Sequence, residues 1–351
     1  MVTQDAKRKA IDLAVAGLNK RFGTNTVIKL NEKKAIRGEV IPTSVPLFNY
    51  ALGVGGVPKR RIIEIFGQES SGKTTLALDI VANCQKAGGV AAFVDAEHAL
   101  DKEYTEKLGV NTDDLLLSQP DTAEDCLEVV ESLVKAGIDL VVLDSVAAMV
   151  PSAEVKGDMG DSHMGLIARL MSQGLRKIGG ATDSSGSCVI FINQIREKIG
   201  VVFGNPETTP GGRALKFWAS VRIEVRSSKT KSGAYAGNAS EQKIKIVKNK
   251  VAPPFREAIG TLVWGEGYDH YGNLMAAGEA FGIVEKHGAY YTFGDMRINR
   301  SIYNDAIDST LRPLILETIN EDIGVPVAIG AEVEGDDEKD KSSTFDPEEH
   351  I

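Results

Sequence analysis

Cysteine is scarce in this chain and long apolar runs are missing. Cys84, Cys126 and Cys188 are the only three cysteines, they lie far apart, and none belongs to a C-x-x-C pair. That spacing excludes a disulfide scaffold or a cysteine-held metal and predicts buried, reduced thiols. No segment approaches the ~20 apolar residues that a membrane-crossing helix needs, so no membrane partner is expected. The opening MVTQDAKRKA lacks the apolar stretch of a secretory leader, and a cytoplasmic location is the expectation. Internal repeats and coiled-coil heptads are absent too, which excludes solenoid and fibrous architectures.

What is present fits a globular chain. Of 351 residues, 42% are hydrophobic and 25% charged, enough for one sizeable core and a smaller appended domain. The net charge of −9 argues at first against a nucleic-acid partner. It is unevenly spread: residues 332–351 hold nine carboxylates and two lysines, leaving only −2 for residues 1–331. The body is nearly neutral, so local basic patches are possible. The tail is poor in apolar residues and is expected to be disordered. It reads either as a solubilising end or as a mobile polyanion that competes with DNA for a basic site.

Residues 4–22 carry Ile11, Ala14, Leu18 and Phe22 at helical spacing, among Lys7, Arg8, Lys9, Lys20 and Arg21. Residues 26–30 read as a short strand. This helix and strand (1–34) have no core of their own and either pack in cis or reach a neighbouring subunit. From about 61 to 225, apolar strands alternate with helical stretches, which predicts an α/β fold around a mostly parallel central sheet. Four strands stand out, at 62–66, 90–94, 140–143 and 189–192. The β-rich KIKIVKNK and GTLVW segments are expected to extend the sheet. The expected divisions are a core over 35–267, a small α+β domain over 268–331 with a helix near 304–319, and the tail over 332–351.

The strongest motif is Gly67-Gln68-Glu69-Ser70-Ser71-Gly72-Lys73-Thr74, a G-x-x-x-x-G-K-[ST] phosphate loop between the apolar strand IIEIF and the helical TTLALDIVANC. Its glycines let backbone N–H groups turn inward around phosphate oxygens at a helix N-terminus. Lys73 brings a positive charge to the β- and γ-phosphates, and Thr74 offers a hydroxyl to Mg²⁺. With Thr75, these residues form the expected ATP-binding set. Ligands in such sheets sit at the carboxyl ends of strands, so the polar residues there matter. Asp144 follows LVVL as a Walker B carboxylate for Mg²⁺. Glu97, in the Asp95-Ala-Glu97-His98 turn, is the candidate base for the attacking water. Gln194 follows VIFI and is placed to sense the γ-phosphate. Any one of these alone is an ordinary strand-end polar residue; four strands ending this way around one loop point to catalysis. His98 reads as a turn residue.

The run GQESSGKTTLAL is followed in order by VDAEHALDKEY, LLLSQPDT, VVLDSVAAMVP, GDSHMGLIARLMSQGLRK, FINQIREKIGVVFGNPETTPGGRALKF and KIVKNKVAPPF. These blocks closely resemble the bacterial RecA recombinases over roughly residues 1–290. The resemblance implies a RecA-like ATPase core, an N-terminal helix–strand arm that docks on the adjacent protomer, and a helical filament of identical subunits on single-stranded DNA. It implies DNA-dependent ATP hydrolysis, pairing with homologous double-stranded DNA, and strand exchange in repair. It also implies stimulated self-cleavage of a LexA-like repressor in the SOS response.

The same resemblance carries residue roles. Tyr104 stacks on adenine with Asp101 nearby, and Gln194 couples the γ-phosphate to the second DNA loop. Lys248 and Lys250 cross the subunit interface to the neighbour's ATP, where Phe217 also lies. Met164, Arg169, Arg176, Arg196, Ile199, Thr208, Gly211, Gly212 and Arg213 touch or wedge the DNA strand. A glycine-rich loop with arginines suits such backbone contact, and apolar side chains can insert between bases. On residue pattern alone, Met164 reads as core packing and KIKIVKNK as a solvated strand face. Two departures stand out: Gln68 replaces the family's usual proline, and 295–330 lacks its Gly-rich basic segment. Lys286, Arg297 and Arg300 are the candidates for duplex capture there. A ring-shaped helicase on the same core, or an ATP-binding filament without strand exchange, are the rival functions.

Overall fold

The computed structural model describes residues 4–23, 26–27, 39–158, 165–197, 206–230 and 235–325. Helix α1 (Gln4–Phe22) starts with Asp5 in its first turn and ends on Lys20 and Arg21, charges that complement the helix dipole. None of its residues is buried, and Ile11, Leu13, Leu18 and Phe22 all face outward. Thr26 and Val27 bend rather than extend, with Asn19 bonded to both polar groups of the Val27 backbone. The rest of the expected 26–30 strand lies outside the described residues.

A small ribbon of β1 (Val40–Ile41) and β2 (Val57–Pro58) flanks α2 (Pro46–Leu52). The core then runs β3 (Ile62–Gly67), α3 (Lys73–Lys86), β4 (Ala91–Asp95), α4 (Lys102–Lys107), β5 (Leu116–Ser118), α5 (Ala123–Lys135), β6 (Leu140–Asp144), α6 (Ser152–Lys156), α7 (Leu166–Ser185) and β7 (Cys188–Gln194). A two-residue-per-strand hairpin stem, β8 (Arg196–Glu197) and β9 (Glu207–Thr208), precedes α8 (Ala214–Trp218). Strands β10 (Val221–Lys229), β11 (Ala239–Asn249), β12 (Glu257–Val263) and β13 (Gly267–Tyr268) follow. The last part holds α9 (His270–Ala280), β14 (Glu285–His287), β15 (Tyr290–Phe293), β16 (Met296–Ile298) and α10 (Asp305–Asp322).

Nine strands form one sheet in the order β13-β12-β11-β10-β3-β7-β6-β4-β5. From β10 to β5 the pairs are parallel; β11, β12 and β13 add antiparallel. The parallel strands are apolar on both faces because helices cover both. Alternation sorts them: Ile63, Ile65, Val142 and Ile190 pack with Leu76 and Ile80 of α3 on one side. Ile62, Val141, Leu143 and Phe191 pack with Val130 of α5 and Leu175 and Ile178 of α7 on the other. The three cysteines are buried and free, each thiol pushed up in pKa by burial. Residues from α9 onward have their own cluster, Leu274, Met275, Val284, Ile298, Leu311, Ile315 and Ile319, against which Leu47 and Tyr50 of α2 pack.

Candidate functional site

The phosphate loop joins β3 to α3 through backbone that only small residues permit. Gly72 caps the helix in the left-handed region at φ 82. A Cβ on Gly67 would lie 2.1 Å from the Val225 carbonyl oxygen, so β10 presses directly on the loop's first residue. The loop borders a cavity of about 370 Å³ whose walls include Lys73, Thr74, Thr75, Glu97, Tyr104, Asp144, Gln194 and Trp264. Ser71 Oγ in the same loop is buried with no hydrogen-bond partner. These features fit a polyphosphate: a loop that turns on glycines at both ends, a buried cation and an uncommitted hydroxyl.

Lys73 is 8% exposed, and its Nζ donates to the Gln68 carbonyl at 2.7 Å. Burial pushes its pKa down, against the pull of Asp144, Glu97 and Glu69. Thr74 Oγ1 donates to Asp144 Oδ2 at 2.5 Å. Burial raises the Asp144 carboxyl to about 6, helped by the charges of Glu97 and Asp95 and opposed by the Thr74 bond and Lys73. Among the described residues, no three or more His, Cys, Asp and Glu side chains gather as a metal cage. The donor set Thr74 and Asp144 instead suits Mg²⁺, which keeps waters and takes phosphate oxygens alongside one or two protein ligands.

Glu97 is exposed at the end of β4 and is held from two strands. Its Oε1 accepts from Ser145 Oγ at 2.6 Å and from Gln194 Nε2 at 3.1 Å. The backbone N–H groups of Ala96 and Glu97 both donate to the Asp144 carbonyl, locking the ends of β4 and β6 together. Gln194 is followed by Ile195 and the β8–β9 stem, so one side chain joins the cavity to the second loop. Tyr104 reaches Thr75 Oγ1 with its hydroxyl at 3.0 Å, and Asp101 caps α4 by accepting from Tyr104 N at 2.7 Å. His98 adopts φ 54 in an exposed turn.

The DNA candidates gather around the start of α7. Arg169 and Arg176 are exposed on that helix, about two turns apart, with Arg176 Nε donating to the Ser172 carbonyl. Arg196 and Thr208 are register partners in the β8–β9 stem. Gly211 and Gly212 have φ of 80 and 76, and Cβ atoms there would meet Val146 Cγ1 at 2.9 Å and Ala168 Cβ at 2.8 Å. Side chains at these two positions would hold the second loop away from α7; glycine lets the segment settle beside Arg169. Arg213 is exposed at the start of α8. Met164 and Ile199 lie outside the described residues, as does the acidic tail.

Lys248 and Lys250 do not line the cavity of their own chain. Lys248 Nζ donates to the carbonyls of Lys216 at 2.6 Å and Phe217 at 3.0 Å, and Lys250 Nζ reaches Phe217 O at 3.5 Å. Burial, Lys250 and Arg222 push the Lys248 pKa down. Phe217 beside them is 70% exposed. In the last domain, Arg297 stacks on Tyr290 with 3.5 Å to the ring centre, and Lys286 lies over Tyr291. Arg300 is engaged internally: it grips Asp269 with two bonds and lies against Tyr235 and Tyr271. Trp264 and Gln242 escaped the sequence reading. Trp264 follows the last residue of β12, and the GTLVW pattern marks it only as a strand-end aromatic.

The model of the RecA N-terminal domain family matches residues 9–269. The chain belongs to the RecA family. Protein RecA of Symbiobacterium thermophilum is 55% identical over 304 residues, covering 86% of this chain and 87% of that protein. Protein RecA of Citrifermentans bemidjiense is 52% identical over 328 residues, with 93% and 97% covered. Protein RecA of Brevibacillus brevis is 48% identical over 349 residues, with 97% and 99% covered. The likeness thus runs past residue 269 into the C-terminal part. No helix among the described residues is long and apolar enough to cross a membrane.

Proposed function

We propose that this protein is a DNA-dependent ATPase that polymerises on single-stranded DNA and catalyses homologous pairing and strand exchange in recombinational repair. The observation that carries the proposal is the chain Ser145–Glu97–Gln194, which ties the nucleotide cavity to the stem bearing Arg196. An isolated ATPase has no need of a link from its base to a stem that carries an exposed arginine.

ATP binds with its phosphates in the cradle of Gly67, Gln68, Glu69, Ser70, Ser71 and Gly72, Lys73 neutralising β- and γ-oxygens. Thr74 and Asp144 would hold Mg²⁺, which would supply further charge neutralisation at the phosphates. Tyr104, with Asp101 fixing its helix, packs against the base. Glu97 takes a proton from water as the water oxygen bonds to the γ-phosphorus and the bond to the ADP oxygen breaks. Gln194 exchanges its bond to Glu97 for one to the γ-phosphate, and so transmits the nucleotide state to the second loop. Lys248 and Lys250 turn from their own backbone carbonyls to a neighbour's γ-phosphate when subunits stack head to tail, a contact that builds an open helix. The arm of residues 1–34 docks on that neighbour and covers the exposed face of α1, while residues 35–267 form the core and 268–331 the α+β module.

Arg169, Arg176, Arg196 and Arg213 hold the DNA backbone, Thr208, Gly211 and Gly212 shape the loop, and Met164 and Ile199 wedge between bases. Sequence choice rests on base pairing with the incoming duplex, with Lys286 and Arg297 as its first contacts. The filament also promotes self-cleavage of a LexA-like repressor in the SOS response, and it works in the cytoplasm, where chromosomal DNA lies.

ATP hydrolysis with and without single-stranded DNA, in wild type and Glu97→Ala, tests the proposal. The expected result is strong stimulation by DNA, lost in the variant, which still binds DNA. Hydrolysis indifferent to DNA refutes it, and forked-duplex unwinding in its place would identify a ring helicase.

A further inference from the structure

Gln242 sits on the antiparallel side of the sheet, 0% exposed, in a strand otherwise distant in sequence from the phosphate loop. Its side-chain nitrogen donates to two loop carbonyls, Ser71 O at 2.8 Å and Gly72 O at 3.1 Å. Both protons of the amide are thereby used. Its Oε1 accepts from the hydroxyl of Tyr268, itself 6% exposed in β13. A primary amide can turn over and exchange its oxygen for its nitrogen at little cost unless its partners discriminate. Here the two loop carbonyls can only accept, so they hold the nitrogen toward the loop, and the Tyr268 hydroxyl donates to the oxygen left on the other side.

We propose that Gln242, braced by Tyr268, is a positioning residue that fixes the phosphate loop in its anion-binding conformation. The proposal rests on the nucleotide reading of this site and deepens it. A trans peptide unit is planar, with C=O and N–H pointing in opposite directions. Holding the Ser71 carbonyl against β11 therefore turns the Gly72 N–H the other way, toward the cavity; the Gly72 carbonyl, which also accepts from Leu76 N in the first turn of α3, is steadied by the same amide and keeps the Lys73 N–H on that side. Those groups are the donors a phosphate needs at the start of α3. The glycine matters to the same contact: a Cβ on Gly72 would lie 2.4 Å from Gln242 Nε2, so the strand approaches this closely only because residue 72 has no side chain.

The anchor extends further. Tyr268 ends the central sheet, and the next residue, Asp269, caps α9 through Gly272 N and grips Arg300. The phosphate loop is thus joined through three side-chain contacts to the first helix of the C-terminal module.

The test uses the full-length protein and a fluorescent ADP analogue, without DNA. Gln242→Leu keeps the volume and removes both donors; ADP affinity is expected to fall about tenfold, the scale of two lost hydrogen bonds. In DNA-stimulated hydrolysis the loss should sit in KM for ATP rather than in kcat, because the cradle holds ground and transition state alike. Tyr268→Phe removes one hydroxyl and leaves the buried amide oxygen without its donor, loosening the brace, so a drop of about threefold is expected. It keeps the buried ring, and it decides the matter if Gln242→Leu does not fold. ADP affinity within twofold of wild type in a folded Gln242→Leu, or in Tyr268→Phe where that variant is the only one folded, overturns the proposal, as does a change confined to kcat. Wild type that binds no nucleotide overturns both this proposal and the functional reading. Nucleotide binding without DNA stimulation sinks the functional reading alone.

Discussion

Asp144→Asn should make the protein more stable and inactive. The carboxylate is buried between Lys73, Thr74, Glu97 and Asp95, and burial raises its pKa from an ordinary 3.8 to about 6. A raised acid pKa means that the folded state holds the proton more tightly than the unfolded chain, so ionisation at neutral pH works against folding. The cost at pH 8 is about 3 kcal/mol, at 1.36 kcal/mol for each pH unit between the two values. It begins to shrink as pH falls below about 6 and is largely gone near 4, as the pH approaches the value of the unfolded chain. Asparagine has the same shape and its Oδ1 can still accept from Thr74, so the variant keeps the bond and loses the charge. Thermal or urea unfolding of the nucleotide-free protein, with and without the substitution, at several pH values between 4.5 and 8 measures the difference. The variant should lead at pH 8 by on the order of 2–3 kcal/mol, narrowing toward acid, while hydrolysis is abolished. Equal stability at pH 8, or a gap that stays constant with pH, would refute the reasoning. Functional groups held against the fold's own stability are a common cost of active sites.

Other expectations follow the same logic. Arg222→Leu leaves the fully buried Glu64 without its ion-pair partner and should cost roughly 3–5 kcal/mol in urea unfolding. The double variant with Glu64→Leu should recover most of that, and a double variant no better than the single one contradicts the account. Gly67→Ala forces a methyl against the Val225 carbonyl and should cost on the order of 1–3 kcal/mol in stability, with nucleotide affinity falling in parallel. Unchanged ADP binding in that variant would show that β10 yields easily. Glu97→Gln should slow hydrolysis about 10²–10⁴-fold in single-turnover assays while sparing ATP binding, since the amide cannot accept the water's proton.

Much of this architecture is written locally. The phosphate loop, the Walker B strand and the Glu97 turn are contiguous motifs, and four core strands announce themselves as short apolar runs bounded by polar ends. The C-terminal helix, expected near 304–319, spans Asp305–Asp322 with Asn304 as its cap. Local pattern failed where half-exposed or mixed strands are concerned. β5 is three residues long with Leu116 and Leu117 exposed, and β10 alternates charged and apolar residues to a degree that blends into its surroundings. Nor did periodicity disclose that β10, late in the chain, lies directly beside β3 and sets how tightly the phosphate loop must turn.

Amino-acid order alone was enough for the family, the fold class and the place of the phosphate-loop motif, because such a loop is built from consecutive residues. The supports of that site needed the folded chain. Gln242 meets Ser71 across 171 residues, and Glu64 meets Arg222 across 158. Isolated from its partner, each of these residues is an unremarkable polar position in a strand. Only closing the sheet places their donors and acceptors in an interior where an unpaired group is costly, and that cost gives each pair its role.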